Sequence, residues 1–337
     1  MSRSIPGPSE TSPFVALGLT GAQALHLLGD GRVRARIARD PAFTVVGIDR
    51  LSAPEDSQSP ADVDPSVVAT ALAAEGAGPL LVSAVARREH PYNLARRVLS
   101  LDHLSHGTSG LVLGQGNPHG AGEGGEDSTA PDTAAAVTGL WQSWPRDSII
   151  GDKDAGVLVD AARIRRVDHT GVVDVAGPLS VPSSLQGTPV LGWYAGDHSA
   201  VRAAPAIADL VLLGGSPDVQ AVRDAVVEIN GRAILVAEIA VPVPTGGEGA
   251  ALDEVGRQVA ALTEAGAAGV VLRTAQISHP ADDIGFLLDV VLPALSTEDG
   301  RAGRRGTLRD RLGATPPEPL LADARGVFPP PTTSVYQ

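Results

Sequence analysis

The residues best suited to chemistry stand where predicted strands end. Asp49 follows the apolar run 43–48, and Ser83 lies within the apolar run 80–85. In a parallel β structure, side chains at the carboxyl ends of the strands meet around a common ligand. A carboxylate and a hydroxyl at that edge can form hydrogen bonds to the polar rim of a cofactor. The alternative for Asp49 is a helix cap or an ion pair with Arg50, and position alone does not separate these interpretations.

A third polar group follows a later predicted strand, in the sequence Ala195-Gly196-Asp197-His198-Ser199. Backbone N–H groups at a helix N-terminus attract anions, so Gly196, His198 and Ser199 are candidates for binding a phosphate. The alternative is that Asp197 or Ser199 is only the N-cap of that helix.

Three other patterns resemble sites but also have structural explanations. His103 and His106 have helical spacing for metal ligands, but no third ligand is evident, and their place at a helix C-terminus favours a structural role. The glycine-rich stretch 114–120 follows a strand, yet His119 stands where a dinucleotide fingerprint has glycine, which favours a flexible insertion. The turn 214–216 can either approach a phosphate or form a tight turn capped by Ser216. The sequence therefore assigns no catalytic residue and no metal ligand.

Composition excludes several classes of protein. The 337 residues carry a formal net charge of −13, which argues against a nucleic-acid-binding protein. Cysteine is absent, so disulfides, thiolate nucleophiles and cysteine metal sites are excluded. No apolar run reaches the roughly 20 residues needed to span a membrane. The first residues lack the apolar region of a secretory signal, and a cytoplasmic protein is expected.

These candidate residues need a scaffold of alternating strands and helices. Apolar runs rich in Val, Ile and Leu predict eight strands, at 14–19, 43–48, 80–85, 110–113, 189–194, 209–213, 233–241 and 268–272. Helical patterns stand between and after them, at 22–39, 67–74, 92–104, 133–144, 199–208, 217–230, 251–265 and 281–296. The alternation predicts an α/β fold, a (β/α)8 barrel, with an open doubly wound sheet as the alternative.

The chain organisation follows from changes in composition. We expect a flexible tail at 1–12, one barrel domain at 13–300 and a C-terminal extension at 301–337 that wraps the outside of the barrel. Within the domain, the Gly- and Glu-rich stretch 115–131 has no apolar periodicity and is predicted to be a mobile insertion. The alternating segment 171–178 predicts a β-hairpin excursion.

Several passages, taken together and in order, resemble one known family. They are Glu89–Arg97, Ser100–Ser105, Gly139–Trp144, Asp168–Gly171, Val181–Val190 and Gly306–Gly313. By these passages the chain resembles the bacterial luciferase-like monooxygenases, in the branch of the nitrilotriacetate and dibenzothiophene-sulfone enzymes.

The resemblance implies a (β/α)8 barrel and a flavin-dependent monooxygenase. Relatives use reduced FMN from a separate flavin reductase, let it react with O2, and oxygenate a small organic substrate, commonly as homodimers. Asp49 and Ser83 match positions near the flavin, and Ala195-Gly196 matches the dipeptide ahead of the flavin-phosphate loop, where His198 or Ser199 takes the place of the family's serine. Arg87 and Arg88 suit an anionic substrate or the flavin phosphate.

The strand at 110–113 departs from the family pattern, because it lacks the Asn, Thr and Ser that face the flavin in relatives. This departure motivates the alternative of a non-catalytic paralogue that has lost flavin binding and acts as a partner or binding subunit. A barrel hydrolase is a third interpretation, but no nucleophile elbow, metal triad or spaced carboxylate pair supports it.

Overall fold

Eight parallel strands close into a barrel in the computed structural model, which describes residues 13–52, 63–115, 129–244, 248–276, 280–295 and 306–328. In chain order the strands are β1 Phe14–Leu19, β2 Thr44–Val46, β3 Leu80–Val85, β4 Ser109–Gly114, β5 Ile149–Asp152, β6 Val157–Val159, β7 Asp168–His169, β8 Val175–Ala176, β9 Val190–Ala195, β10 Leu210–Leu213, β11 Ile234–Val241 and β12 Gly269–Thr274. The barrel order is β1-β12-β11-β10-β9-β4-β3-β2, and β5–β6 and β7–β8 form two separate antiparallel pairs. The predicted (β/α)8 barrel is thereby confirmed, and the open sheet is not observed.

Helices cover the outside of the barrel. They are α1 Gly21–Leu27, α2 Gly31–Arg39, α3 Asp49–Ser52, α4 Pro65–Ala74, α5 Pro91–Leu104, α6 Thr129–Gln142, α7 His198–Arg202, α8 Val219–Ile229, α9 Glu248–Glu264, α10 Pro280–Phe286, α11 Leu292–Leu295 and α12 Leu308–Leu312. Within the described ranges, none of them is long and apolar enough to cross a membrane.

Alternation along the strands divides the apolar residues into two layers. One side of each strand packs under the helices and belongs to the larger apolar cluster. The other side fills the barrel lumen with a second cluster, which includes Ala16, Val45, Leu81, Val112, Val190, Leu210, Leu212, Val236 and Val271. The barrel is therefore a packed core, and its carboxyl-terminal end is the place where side chains can reach a ligand.

Three helices differ from their predicted extent. The predicted helix 22–39 is two helices, because the chain turns after α1 and the carboxylate of Asp30 caps α2 by accepting from the N–H of Arg32 at 2.9 Å. The predicted helix 199–208 ends with α7 at Arg202, three residues ahead of Pro205, which lacks the N–H that a continuing helix needs. The predicted helix 281–296 is interrupted by a π-helical turn at Leu287–Val291.

The hairpin region is larger than predicted. Strand β8 lies within the predicted excursion 171–178, but its partner β7 precedes that segment, and the β5–β6 pair was missed. Helix α6 starts at Thr129, so the last residues of the predicted insertion 115–131 are helical. Residues 116–128 and the predicted tail 1–12 lie outside the described residues.

The C-terminal helix α12 packs into the amino-terminal end of the barrel. The expectation that this segment wraps the outside of the barrel was wrong for this helix. Leu308 is fully buried and belongs to the lumen cluster. Its N–H donates to the carbonyl of Gly107, just before β4, at 2.8 Å. The helix therefore closes the end of the barrel opposite to the predicted site. The division into a domain at 13–300 and an extension stays a prediction.

Candidate functional site

Buried apolar side chains close the lumen at the carboxyl-terminal end of the barrel. Ile48 packs over Gly18 at the end of β1, where a Cβ would lie 3.3 Å from its Cγ2, and Leu51 packs over Gly114 at the end of β4. Both side chains are buried and continue the lumen cluster, as does Tyr194. Glycines in β1 and β4 thus leave room for larger side chains from the loop after β2. We call this layer of buried side chains the apolar floor.

Asp49 and Ser83 both lie at this end. The carboxylate Oδ1 of Asp49 accepts from the N–H of Gly21, the first residue of α1, at 3.1 Å. The Ser83 hydroxyl is buried and donates to the carbonyl of Gly47 at 2.5 Å. Gly47 has a φ of +81°, and a Cβ there would lie 2.6 Å from Ser83 Oγ, so only glycine permits this contact. The structure brings the two predicted residues to one edge of the barrel, where each also has a structural bond.

In the predicted phosphate-binding segment after β9, an aspartate side chain caps the N-terminus of α7. Gly196, His198 and Ser199 are exposed. Asp197 is the N-cap of α7: its Oδ1 accepts from the N–H of Ala200 at 2.9 Å and from the Ser199 hydroxyl at 2.7 Å. The N–H of Ala200 lowers the pKa of Asp197 below its usual range, which keeps this carboxylate charged.

This arrangement does not fit the phosphate of FMN at α7. The carboxylate of Asp197 occupies the N–H groups that an anion would need, and its charge repels a phosphate. Helix α7 also has only five residues, which gives it a small dipole. The ring has a better match, since the apolar floor lies beside the Ser83 hydroxyl and the Asp49 carboxylate.

The turn after β10 does not have the predicted cap. Ser216 has a φ of +54°, and its hydroxyl accepts from the N–H of Ala240 at 3.0 Å. Asp218 is the N-cap of α8 instead, accepting from the N–H of Ala221 at 2.8 Å. Ser216 therefore ties the end of β10 to β11.

The histidines predicted to have a structural role stand at the other end of the barrel. His103, in the last turn of α5, has its Nε2 2.7 Å from the carbonyl of Pro182, and His106 follows the helix in a left-handed conformation with a φ of +56°. Among the described residues, no group of three potential ligands lies close enough to hold a metal ion.

Several motifs that carry the family resemblance meet at the amino-terminal end of the barrel. Asp102 of α5 is fully buried and accepts from Ser109 and from the Gln186 side chain at 2.7 Å. Gln186 in turn accepts from the N–H of Arg309, at 3.2 Å. The Arg309 guanidinium binds both carboxylate oxygens of Asp209, at 2.6 and 2.8 Å. The motifs at this end therefore have a structural explanation.

The His-Thr-Gly motif of β7 holds the start of α6. The Asp132 carboxylate contacts His169 Nε2 at 2.8 Å and accepts from the N–H of Val172 at 2.9 Å. A Cβ at Gly171 would overlap this carboxylate. The motif therefore clamps the second hairpin onto α6.

Sequence reasoning missed one charged pair at the carboxyl-terminal end. Glu238 of β11 is 1% exposed, and Arg273 Nε of β12 donates to its Oε1 at 2.6 Å. A signal was present, because a glutamate inside the apolar run of β11 is unusual for a buried strand. Its partner stands 35 residues away and could not be paired without the strand register.

Two cavities lie outside the lumen. One of about 530 Å³ is lined by residues of the 145–149 and 183–187 segments, beside the first hairpin. The other, of about 310 Å³, lies between the turn after β10 and helix α9.

Comparison with curated proteins shows one similarity along nearly the whole chain. The chain is 30% identical to a subunit of pristinamycin IIA synthase from Streptomyces pristinaespiralis over 315 residues, which are 91% of this chain and 97% of that protein. It is 38% identical over 112 residues to dibenzothiophene-sulfone monooxygenase of Rhodococcus erythropolis, covering 30% of this chain and 25% of that protein. It is 30% identical over 156 residues to nitrilotriacetate monooxygenase component A of Aminobacter aminovorans, covering 43% and 34%. The chain thus spans only a quarter to a third of these two monooxygenases.

Comparison with solved structures supports the fold. EDTA monooxygenase from Chelativorans has a TM-score of 0.68 at 17% identity, covering 90% of this chain and 99% of that one. Riboflavin lyase, solved with modified FMN and riboflavin, has a TM-score of 0.69 at 21% identity, covering 91% and 97%. No family model matches the sequence.

Proposed function

Because the chain belongs to the luciferase-like family of flavin-dependent monooxygenases, in the nitrilotriacetate and dibenzothiophene-sulfone branch, we propose that it is the oxygenase component of a two-component monooxygenase. The observation that carries this proposal is the 30% identity to a synthase subunit along 91% of the chain. Reduced FMN comes from a separate flavin reductase, and O2 is the co-substrate. When bound, reduced FMN supplies the activation of O2, and one oxygen atom enters a small organic substrate.

The chain's own part is to hold the ring and exclude water. Ile48, Leu51 and Tyr194 are all buried at the carboxyl-terminal end and offer the ring an apolar floor. Asp49 and Ser83 lie beside that floor and provide polar groups for the edge of the ring. An apolar enclosure also protects reactive oxygen chemistry from water.

The flavin phosphate needs cations, because the Asp197 carboxylate already caps the N-terminus of α7. Arg87 and Arg88 directly follow β3 at the same end of the barrel, and both are exposed. His198 is the first residue of α7 and is exposed, as are Gly196 before it and Ser199 after it. We therefore assign the phosphate to the side chains of the two arginines and of His198. The Asp197 carboxylate opposes phosphate binding at the backbone N–H groups of α7.

An anaerobic titration of the chain with reduced FMN tests the proposed function. We expect saturable binding at micromolar flavin, followed by oxygen consumption beyond that of the reductase alone when air and a substrate mixture are added. Absence of both binding and additional oxygen consumption would overturn the proposal. The alternative of a partner subunit without flavin predicts that negative result, together with a stable complex with an intact homologue.

Parallel titrations with riboflavin test the phosphate assignment, because riboflavin lacks the phosphate. In the double variant Arg87→Gln/Arg88→Gln, FMN affinity should fall about tenfold or more while riboflavin affinity is unchanged. Asp197→Asn removes the opposing carboxylate and should strengthen FMN binding. Asp218→Asn is its matched control, since Asp218 caps the next helix in the same way.

Two further expectations remain proposals. We propose a homodimer, which light scattering on the purified chain would check, and a cytoplasmic location, which fractionation of the source cells would check.

A further inference from the structure

A charged pair faces the lumen at the carboxyl-terminal ends of β11 and β12. Alternate residues of β11 point into the barrel, and Val236 belongs to the lumen cluster, so Glu238 faces the lumen two residues later. Val271 belongs to the same cluster, which gives Arg273 the same orientation on β12. Both side chains thus lie above the last apolar layer of the barrel.

The pair has unequal exposure and incomplete hydrogen bonding. Arg273 Nε donates to Glu238 Oε1 at 2.6 Å, and its Nη1 donates weakly to the carbonyl of Thr274 at 3.3 Å. Glu238 is 1% exposed, yet its Oε2 has no hydrogen-bond partner among the residues that the structure describes. Arg273 is 27% exposed, so its guanidinium is the more accessible partner of the two. A buried carboxylate oxygen without a partner is rare, because burial removes the water that would otherwise bind it.

The aromatic ring of Tyr194 lies beside the pair, over a glycine of the neighbouring strand. The register of β10 and β11 pairs Leu213 with Ala237, which places Gly214 next to Glu238. A Cβ at Gly214 would overlap the hydroxyl of Tyr194, so the tyrosine ring extends from β9 across β10 toward the pair. The Tyr194 ring therefore lies on one side of the pair, and the pair itself contributes an acceptor, Glu238, and a donor, Arg273.

We propose that Glu238 and Arg273 form a recognition site for a neutral ligand group with an N–H donor beside a carbonyl acceptor, such as a secondary amide. The free Oε2 accepts from the N–H, and the guanidinium donates to the carbonyl. The charges of the two side chains cancel, so a phosphate or carboxylate gains little from the arginine and is repelled by the glutamate. This proposal depends on the proposed function in one respect: if the chain is an oxygenase, the ligand bound here is its substrate.

Two small probes test the site on the purified chain without flavin. These are 2-pyrrolidinone, which has an amide N–H beside its carbonyl, and acetate, which only accepts; saturation-transfer NMR measures the affinity of each. We expect the wild-type chain to bind 2-pyrrolidinone more tightly than acetate. Equal binding, or binding of neither probe at millimolar concentration, overturns the proposal.

Glu238→Gln provides the discriminating variant. Its amide oxygen can keep the bond to Arg273 while its NH₂ replaces Oε2, which turns the free acceptor into a donor. The preference should therefore reverse toward acetate, with about a tenfold loss of 2-pyrrolidinone affinity, as expected for one hydrogen bond. Unchanged preference in the folded variant refutes the role of Glu238.

Two more variants separate recognition from stability. Arg273→Lys keeps the ion pair but removes the planar donor fork, and should weaken 2-pyrrolidinone binding without unfolding the chain. Asp147→Asn breaks an exposed ion pair with Arg163 elsewhere and should leave both affinities unchanged. Because no flavin is present, failure of FMN binding would leave this result intact, and a negative probe result would leave the oxygenase proposal intact.

Discussion

Arg309→Met should destabilise the barrel from the end opposite to the candidate site. The Arg309 side chain is 6% exposed and its guanidinium binds both oxygens of Asp209, with a further bond to the carbonyl of Thr315 at 2.7 Å. Methionine fills much of the same volume but removes these donors. Asp209, whose side chain is 10% exposed, would keep its bond from the N–H of Leu191 at 2.9 Å and lose its cation.

The expected size follows from this burial. Removing one partner of a buried ion pair costs about 3–5 kcal/mol, because the remaining charge stays desolvated. The bond from Leu191 and the slight exposure of Asp209 place the expected loss near the lower value, about 3 kcal/mol. For comparison, an exposed pair contributes about 0.2–1 kcal/mol.

Urea unfolding followed by circular dichroism measures the change in the free energy of unfolding. Arg163→Met is the matched control, since the side chain of Arg163 is 41% exposed and pairs with the exposed Asp147. The double variant Arg309→Met/Asp209→Asn should recover part of the loss, because the amide carries no unpaired charge. If Arg309→Met cost no more than the control, or the double variant recovered nothing, the reasoning about this buried charge would be wrong.

Two other predictions concern buried or crowded positions. Burial raises the pKa of Asp102, opposed by the Ser184 hydroxyl and by hydrogen bonds from neighbours, so the folded state holds its proton more tightly than the unfolded state. The free energy of unfolding should accordingly fall as pH rises from the unfolded-state pKa to the folded-state pKa of this carboxyl. Subtracting the pH profile of the Asp102→Asn variant isolates that fall. A difference that does not change with pH would contradict the raised pKa of Asp102. Gly171→Ala should cost about 1–3 kcal/mol in thermal or urea unfolding, because its Cβ overlaps the Asp132 carboxylate. Gly139→Ala, inside α6 with open space around the new Cβ, should instead stabilise by about 0.4–1 kcal/mol, and the same sign for both variants would refute the packing argument.

The barrel could be predicted from sequence because its strands are buried on both faces. Continuous Val, Ile and Leu runs, such as 80–85 and 233–241, predict such strands, and the structure has β3 and β11 there. The first hairpin could not be predicted in the same way, since all residues of β5 are exposed and no face is selected for apolar side chains. Its exposed Ile150 and Leu158 have no alternation to mark them as strand residues.

The position of the candidate site could be predicted from the sequence, but its hydrogen bonds could not. Asp49 and Ser83 stand at strand ends, and the rule for parallel barrels locates them correctly at the carboxyl-terminal end. Their hydrogen bonds depend on the loop conformations at Gly47 and Gly21, which no local pattern encodes. The pairing of Glu238 with Arg273 depends on strand register, and the capping of α7 by Asp197 rather than Ser199 depends on a local choice between two equally good caps.

The position of Leu308 has a consequence for biosynthesis. The side chain that seals the lumen at its amino-terminal end is contributed by residue 308 of 337, after all eight barrel strands. A nascent chain that has not yet been extended to this residue therefore carries every strand while its interior is open at one end. We expect sealing of the lumen to be a late step of folding, with chaperones protecting the unsealed barrel until then.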